Sequence, residues 1–593
     1  MPYGDAIYLL LAIVLFSSWP TEGNPFHLDH QLALWCAKEV AFVLGSVLSL
    51  RKAWSATSFL RRQSLLKAVA FISFAADVIL FGLPSLLVHY GLKDPFLLES
   101  AGILLFLHYF VIIWLVSGFY EHRAPLSNLS LFQYLSAHLR LLLPFLLPWF
   151  VVNFLFEIIE LTFHPPHTVY YELAYFSTFV FALSLFVPPF VAKLWDCRPL
   201  PESNLRRLIS EYLAREKVRL QEILLWEAFG GRLLTAGVIG IVPRFRYLLI
   251  SPALLAALEE AEVLSVVAHE VGHLKRKHMF WLVVFFLLFS FLIYLALSPG
   301  FFALLAYFPK PELLAEDFFL PEAIFSLGLI LLVLVYFRFL FGFFIRNFER
   351  QADLYCLESL GTAEGLIRSL KKIAALSGHT EDVPSWHHYS IRERIDFLRK
   401  ASSDPRLIQR HHRKVRLALL VYFLMVSLVC FSLARLPQDE LRHRAELNLL
   451  LGQFKKEALL SNDAEDFKML ASLYYELGRE ALALKWYQKA LELEPQDSEL
   501  MNNLAWLLAT AKDKKLRDPK RALELALKAV SLRPIATYLD TLAEAFWANG
   551  QREKACLYSI LALARAQEDP LYYPNQDYYQ RQKERFCHAQ GKP

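Results

Sequence analysis

Long apolar stretches alternate with charged connections over the first three quarters of the chain. Eight of them are long enough to cross a bilayer as helices, because about 20 apolar residues suffice. They run approximately over residues 31–50, 65–90, 101–119, 141–157, 172–192, 279–298, 324–345 and 416–434. A shorter run, Ile7–Trp19, fits a ninth span, a signal-like segment or a re-entrant hairpin. The pattern predicts a mainly α, polytopic transmembrane helical protein.

The tail from about residue 440 has no long apolar runs and carries Ala, Leu, Glu and Lys at helical spacing. Three units place small and large residues as tetratricopeptide repeats do. The first has Leu470, Ala471, Tyr474, Gly478, Ala483, Tyr487, Ala490 and Pro495, the second runs from Leu504 to Pro534 with a polar insertion at Asp513–Asp518, and the third has Leu542, Ala543, Phe546, Gly550 and Ala555. We therefore predict an α-helical, tetratricopeptide-like solenoid. Its concave surface is expected to hold a protein partner, and a structural cap or dimer contact is the alternative.

Composition supports a membrane protein rather than a soluble enzyme. Hydrophobic residues make up 56% of the 593 positions and charged residues only 20%, and the mean hydropathy is +0.34. The net charge of +5 is spread over connecting loops, so we expect a lipid bilayer and no nucleic acid as partner. Asp77 lies within an apolar stretch, and the sequence identifies no partner for it.

One short motif is typical of a zinc-binding site. His269, Glu270 and His273 form HExxH, and the preceding apolar run Ser265–Ala268 continues a helical pattern into it. Two histidines four positions apart on a helix can bind one Zn²⁺ from one face, and Glu270 can accept a proton from water at the remaining position. Gly272 would allow another backbone to approach closely. Because such a motif arises by chance in about a few per cent of chains this long, the surrounding sequence must decide.

A catalytic zinc takes three protein ligands, and the best candidate for the third is Glu349. Glu349 and Asp353 share a helix face at spacing i, i+4, and Ala352 leaves room for close helix contact. Asp353 can then accept the free ring N–H of a zinc-bound histidine. Taken alone, this charged run is more typical of a solvated helix face; with HExxH in the same chain, a metal site is the better interpretation.

Two short β-rich runs precede the motif, at Gly237–Pro243 and Phe245–Ser251, and Pro252–Glu260 is expected to be helical. Zinc peptidases bind extended substrates along an exposed strand edge. We assign that role to the segment near Leu248.

These residues resemble the membrane-bound zinc metallopeptidases that include the CAAX prenyl protease and HtpX-type proteases. The similarity covers roughly residues 200–400: HExxH, two hydrophobic spans, ExxxD in Glu349–Asp353, and a segment similar to HPSxxxRI at His388–Ile395, with Tyr389 in place of proline. The resemblance implies one Zn²⁺ held by His269, His273 and Glu349, and support of the site by Asp353. It also implies that His388 and Arg394 reach the oxyanion or the substrate.

Four regions follow from these patterns. We expect an N-terminal multi-span region at 1–192, a small α+β zincin-like metalloprotease domain at 193–415 interrupted by the spans 279–298 and 324–345, a last span at 416–434, and the repeat domain at 440–593.

Basic residues alternate from loop to loop, which predicts orientation. Arg51 and Arg61 mark an inside loop, the 158–171 connection has no Lys or Arg, and Lys193 and Lys275 are inside again. The metal site should therefore face the cytoplasm of what we expect to be a prokaryotic inner membrane, with the tail outside. Cys556 and Cys587 both lie in that tail, where a disulfide is permitted, although their pairing stays open.

The sequence thus predicts a zinc metalloendopeptidase acting on protein or peptide substrates, by family likeness in membrane-protein quality control. Two alternatives stay open. One is a sensor-transducer that cleaves a cytoplasmic regulator, as in the β-lactam-sensing membrane metallopeptidases. The other is a tetratricopeptide scaffold with an idle metal site.

Overall fold

The computed structural model describes residues 2–17, 19, 28–53, 56–120, 130–164, 169–227, 233–309, 319–377, 382, 388–568 and 576–588. Helices make up most of this part of the chain, and its strands form one four-stranded sheet. The predicted mainly α architecture is therefore confirmed. Contacts divide the chain into two compact units, Met1–Leu297 with Glu322–Arg435, and Ser298–Pro321 with Leu436–Pro593.

The first unit contains the N-terminal helices and the elements around HExxH. Its helices are α1 (Pro2–Ser17), α2 (Leu28–Arg51), α3 (Ala56–Ile79), α4 (Leu83–His89), α5 (Pro95–Tyr120), α6 (Leu131–Phe163), α7 (Val169–Leu194), α8 (Asn204–Arg215), α9 (Pro252–Ala257), α10 (Glu260–Lys275), most of α11 (His278–Ala306), most of α12 (Phe319–Val335), α13 (Gly342–Leu360), α14 (Glu364–Ser377), α15 (Ile391–Ser403) and α16 (Arg406–Ala434). A π-helical turn, Tyr336–Phe341, joins α12 to α13.

Among the described residues, six helices are long and apolar enough to cross a membrane, and eight if each of two bent helix pairs counts as one span. All eight overlap the stretches predicted from hydropathy. The run predicted at Ile7–Trp19 forms a shorter apolar helix, Ile7–Ser17. The protein is therefore a multi-pass membrane protein.

The N-terminal helices bury a polar network that supplies the partners of Asp77. Trp35 Nε1 donates to Asp77 Oδ1 at 2.9 Å, and Lys38 Nζ contacts the same carboxylate. The Tyr109 hydroxyl lies 2.5 Å from both Asp77 Oδ2 and Glu39 Oε1. Ionisable groups are costly in hydrocarbon unless they are paired. These contacts pair the ionisable groups and link helices α2, α3 and α5.

The sheet comprises β1 (Arg198–Pro199), β2 (Glu222–Leu225), β3 (Ala236–Ile239) and β4 (Tyr247–Ile250), in the order β1-β2-β4-β3. Strand β4 pairs with β2 in parallel and with β3 antiparallel, with Leu248 opposite both Ile223 and Val238. The assignment of substrate pairing to the segment near Leu248 is therefore wrong. Both edges of β4 are already used, and among the described residues β3 is the edge strand that contacts α10. Hydrophobic alternation identifies strands but cannot give their order in a sheet.

The second unit consists mainly of antiparallel helix pairs. Its helices are α17 (Gln438–Ser461), α18 (Ala464–Glu476), α19 (Glu480–Leu493), α20 (Ser498–Thr510), α21 (Pro519–Leu532), α22 (Ala536–Ala548), α23 (Arg552–Glu568) and α24 (Gln576–His588). The pairs α18–α19, α20–α21 and α22–α23 are the three predicted repeats. Repeat residues such as Ala471, Ala483 and Leu504 are buried in one continuous core.

Two features close the ends of this unit. Asn448 of α17 donates to the carbonyls of Leu305 and Ala306 at 2.9 and 2.7 Å, satisfying carbonyls at the C-terminal end of α11. At the other end, a disulfide joins Cys556 of α23 to Cys587 of α24. The pairing left open by the sequence is therefore present.

Candidate metal centre

Helix α10 carries HExxH, as predicted. It begins with a capping box in which Glu259 and Glu262 satisfy each other's backbone N–H groups. Val267 and Val271 are almost fully buried in the core of the domain. This burial fixes the rotation of the helix, so that His269 and His273 project together, with their Nε2 atoms 3.3 Å apart.

Close contact between α10 and α13 brings in the third candidate ligand. A Cβ atom added to Gly272 would lie 2.9 Å from Ala352 Cα and 3.1 Å from the Ala352 carbonyl oxygen. Only glycine leaves room for this approach, because real Cβ atoms are not found so near a backbone atom. The small residues singled out from the sequence, Gly272 and Ala352, thus meet each other.

The three candidate ligands converge at this contact. Glu349 Oε2 lies 3.5 Å from His269 Nε2, and Glu349 Oε1 lies 3.5 Å from His273 Nε2. Ligand atoms of a tetrahedral Zn²⁺ with bonds of 2.0–2.1 Å are separated by about 3.3–3.4 Å. The two imidazole nitrogens are 3.3 Å apart, as on one edge of such a tetrahedron, and each lies 3.5 Å from a different oxygen of the Glu349 carboxylate. These three residues form a group that could hold a metal ion.

Asp353 lies one helical turn beyond Glu349 and orients the first histidine. Its Oδ1 atom is 2.9 Å from His269 Nδ1, so the N–H of that ring points away from the ligand face. Arg394 in turn donates to both oxygens of Asp353, at 2.9 Å from Nε and 2.7 Å from Nη2. The Arg394 side chain is 11% exposed, and its Nη2 atom lies 3.9 Å from Glu349 Oε2. Its geometry is that of a group holding Asp353 in place.

Glu270 lies beside the histidines, at the free edge of the sheet. Burial, together with the nearby Glu349 carboxylate, raises the pKa of Glu270 to about 7, although a hydrogen bond with the Val238 backbone lowers it in part. A carboxylate whose pKa is close to neutrality can both accept and return a proton. Val238 belongs to β3, so the edge strand and the candidate base are in direct contact.

His388 marks the more open side of the centre. Its Nδ1 atom lies 3.2 Å from Glu349 Oε2, and 35% of its side chain is exposed. The next residue, Tyr389, packs against the guanidinium of Arg350, whose Cζ atom lies 3.5 Å from the ring centre. The tyrosine at the usual proline position therefore ties this segment to α13. A capping box between Ser390 and Glu393 then starts α15, which carries Arg394.

A third histidine, His278, was missed by the sequence interpretation. Its Nδ1 atom lies 3.0 Å from His273 Nδ1, and its Nε2 atom lies 3.1 Å from Gln351 Oε1. Gln351 Nε2 lies 3.0 Å from His412 Nδ1. If His273 Nε2 faces the metal, His273 Nδ1–H must donate to His278, His278 Nε2–H to Gln351, and the Gln351 amide to His412. The signal was present in AHEVGHLKRKH, as a histidine five positions beyond HExxH.

Residues 199–429 match the family model described as Peptidase family M48. This segment is an M48 peptidase domain. It contains the whole centre from His269 to Arg394, and with the apolar helices it makes the protein a membrane metallopeptidase. Residues 486–524 match a tetratricopeptide repeat model, in agreement with the helix pairs of the tail.

Two further comparisons add little to the M48 assignment. A solved structure, "Crystal Structure of S. mikatae Ste24p", is 17% identical, with a TM-score of 0.43 over 66% of this chain and 98% of that chain. A likeness of this strength supports no inference. Comparison with curated proteins gave no significant match.

Proposed function

We propose that this membrane metallopeptidase is a zinc endopeptidase whose ion is held by His269, His273 and Glu349. The observation that carries the proposal is the convergence of two Nε2 atoms, 3.3 Å apart, on the Glu349 carboxylate, whose two oxygens each lie 3.5 Å from one of them. Two neutral imidazoles and one carboxylate are a donor set typical of catalytic zinc, which leaves a fourth position for water or substrate. When bound, the ion would lower the pKa of that water to about 7 and polarise the scissile carbonyl.

Chain residues would move the protons. Glu270, with its pKa near 7, is positioned to take a proton from the attacking water and to return it to the leaving amine. His388 is half exposed at the mouth of the centre, where its ring can donate to the carbonyl oxygen as negative charge develops there. Arg394 acts through Asp353, which it holds by two hydrogen bonds. We therefore assign Arg394 and Asp353 as positioning residues and Glu270 and His388 as catalytic residues.

The edge strand β3 is the proposed platform for the substrate. Its outer edge is unpaired among the described residues, and it contacts Glu270 through Val238. An extended peptide can add to such an edge through main-chain hydrogen bonds, which align any sequence for cleavage. This mode of binding favours an endopeptidase of broad sequence tolerance.

Two observations support a cytoplasmic centre and an extracytoplasmic tail. Basic residues cluster beside the centre, at Lys275–Lys277 and Arg406–Arg416, as the inside rule requires. The disulfide between Cys556 and Cys587 suits an oxidising compartment. Along the chain, the candidate span Arg406–Ala434 lies between Arg394 and the helices of the tail. A prokaryotic inner membrane fits both.

For the physiological role, we propose quality control of membrane proteins, because an edge-strand platform selects extended chain rather than a particular sequence. A second candidate is a sensor-transducer, in which the tail detects a ligand and the centre cleaves one cytoplasmic regulator. A polar pocket in the tail, described below, favours this alternative. The two differ in substrate range, since quality control predicts cleavage of many unfolded membrane proteins.

Glu270→Gln provides the direct test, with Glu260→Gln on the exposed face of the same helix as the matched control. Purified Glu270→Gln protein should retain zinc and lose cleavage of an unfolded membrane-protein substrate, whereas Glu260→Gln should keep both. In cells, Glu270→Gln protein should also trap its substrates for identification. Equal cleavage by the Glu270→Gln and Glu260→Gln proteins would refute the mechanism, and cells in which only tail deletion has a phenotype would favour a scaffold.

A further inference from the structure

The repeat domain contains a pocket of about 720 Å³. Residues of α18, α20, α22 and α24 form most of its wall, and α19 contributes Tyr487. The pocket belongs to the tail and shares no residue with the metal centre. Its polar groups show which ligand chemistry it can accept.

Two side chains of the pocket carry buried acceptors without partners. Asn502 and Asp540 are each only 4% exposed. Asn502 Oδ1 and Asp540 Oδ1 are buried and have no hydrogen-bond partner among the described residues. Such orphaned acceptors are rare in folded proteins, because a buried polar atom that lacks a partner is costly. Both atoms are acceptors that their neighbours shield from water, so a hydrogen-bond donor in the pocket would satisfy them after a local shift of the wall.

The charge of the inner wall also favours a donor group, in particular one with a positive charge. Burial raises the pKa of Asp540 to about 6, an effect only partly offset by the hydrogen bond from Tyr578, and the nearby Glu544 raises it further. Glu544 is itself paired with Arg585. A positively charged group close to Asp540 would stabilise its ionised form. At the exposed rim, Glu476 and Arg581 carry opposite charges, so the rim does not reverse this preference.

Aromatic rings form much of the remaining wall, including Tyr475, Tyr487, Trp506 and Tyr578. Trp506 Nε1 donates to the Tyr475 hydroxyl at 2.8 Å, which fixes both rings. Aromatic faces attract ammonium and guanidinium groups through their negative π-electron density. Together with a buried carboxylate, they disfavour an anionic ligand.

Helix α24 completes the pocket through Tyr578, Tyr579 and Arg581. The disulfide between Cys556 and Cys587 joins this helix covalently to α23. Reduction of this bond would free one side of the wall, so the pocket should depend on an oxidising environment.

We propose that this pocket binds a cationic N–H donor, an ammonium or guanidinium group, presented as a Lys or Arg side chain of an extended polypeptide. The groove of a repeat domain runs along the axis of the stack and has room for an extended chain on either side of the anchored side chain. This inference concerns the tail alone. It goes beyond the proposed peptidase chemistry and does not depend on it.

The test uses the purified full-length protein in nanodiscs and fluorescently labelled nonapeptides of Gly, Ser and Ala. The central residue is Arg, Lys, citrulline or norleucine. We expect the Arg or Lys peptide to bind at least tenfold more tightly than the citrulline and norleucine peptides, as measured by fluorescence anisotropy. Asp540→Asn should weaken binding of the basic peptide at least tenfold, whereas Glu524→Gln, an exposed position on α21, should not. Reduction of the disulfide should also weaken binding.

Equal binding of the Arg and citrulline peptides to the unaltered protein would overturn the proposal, as would failure of every basic peptide to bind at millimolar concentration. These two outcomes do not depend on how well a variant folds. Equal affinities of Asp540→Asn and Glu524→Gln proteins for the basic peptide would also overturn it. Free agmatine that competes as strongly as the peptides would overturn the assignment to a polypeptide and leave a small amine as the ligand.

Discussion

The metal centre and the tail pocket both bury polar side chains, but the two sites differ in the partners of these side chains. At the centre, both histidine ligands have neighbours that orient them: Asp353, itself held by Arg394, contacts His269, and His278 contacts His273. In the tail, Asn502 and Asp540 each leave an acceptor unpaired. A small ion requires ligands fixed in advance at short separations, whereas a larger donor group can satisfy acceptors on its arrival. This difference is consistent with catalysis at the metal centre and ligand binding in the tail pocket.

The largest effect should come from the proton-transferring group of the centre. Glu270→Gln keeps the shape of the side chain but cannot accept a proton, so peptidase activity should fall by about 10²–10⁴-fold. The zinc content should stay unchanged, because Glu270 is not among the three converging ligands. Turnover of an unfolded substrate, with metal analysis of the same sample, checks both parts. Loss of zinc in this variant would show that Glu270 has been assigned the wrong role.

Removal of the disulfide should affect the tail and leave the centre intact. The bond joins cysteines 31 positions apart, and a crosslink over such a loop contributes about 2–4 kcal/mol. In a variant with both Cys556→Ser and Cys587→Ser, hydrogen exchange should accelerate in α23 and α24, with the zinc content unchanged. Cys430→Ser, which alters a free cysteine, is the control. Faster exchange around His269 in the double variant would mean that the two regions are not independent in stability.

A smaller effect is expected from the hydrogen-bonded chain behind His273. In His278→Phe the ring should still stack on Phe348, whose centre is 4.4 Å away, but it can no longer accept from His273. Loss of such an orienting partner typically costs 10–100-fold in metal affinity. Zinc affinity, measured by competition with a chelator, should fall by about that factor. His412→Phe lies two hydrogen bonds farther away and should have less effect; an equal loss in both would contradict an orienting role for His278.

The last effect is a dependence of tail stability on pH. The pKa of Asp540 is raised from 3.8 to about 6 in the folded tail, so between these values the folded state binds more protons than the unfolded state. The stability of the tail should therefore fall as pH rises from about 4 to about 6. Asp540→Asn should flatten this part of the profile, and Glu524→Gln should not. Hydrogen exchange in α22 gives the measurement, and identical profiles for both variants would contradict the buried carboxylate.

Much of the centre could be predicted because its residues occur at fixed spacings on helices. The i, i+4 spacing of His269 and His273, and of Glu349 and Asp353, determines which side chains share a face. The contact of Gly272 with Ala352 follows from their size. Hydropathy likewise predicted all eight apolar stretches, because a bilayer sets the length of a spanning helix.

Other features depend on distant parts of the chain and left weaker signals in the sequence. Strand order is one of them: the segment near Leu248 has the composition of a strand, but only the fold shows that β4 is internal and β3 is an edge strand among the described residues. The partners of Asp77 come from helices whose packing no spacing rule gives. The tail pocket is a third case, since its acceptors are orphaned only once α20, α22 and α24 are assembled.

The central claim, that His269, His273 and Glu349 hold one zinc ion, is tested most directly by metal analysis of the purified protein and of Glu349→Ala. The unaltered protein should contain about one zinc per chain, since three ligands converge on one position. Glu349→Ala should lose most of that zinc during dialysis against a chelator, while Glu260→Gln keeps it. Full retention of tightly bound zinc by Glu349→Ala would contradict the account.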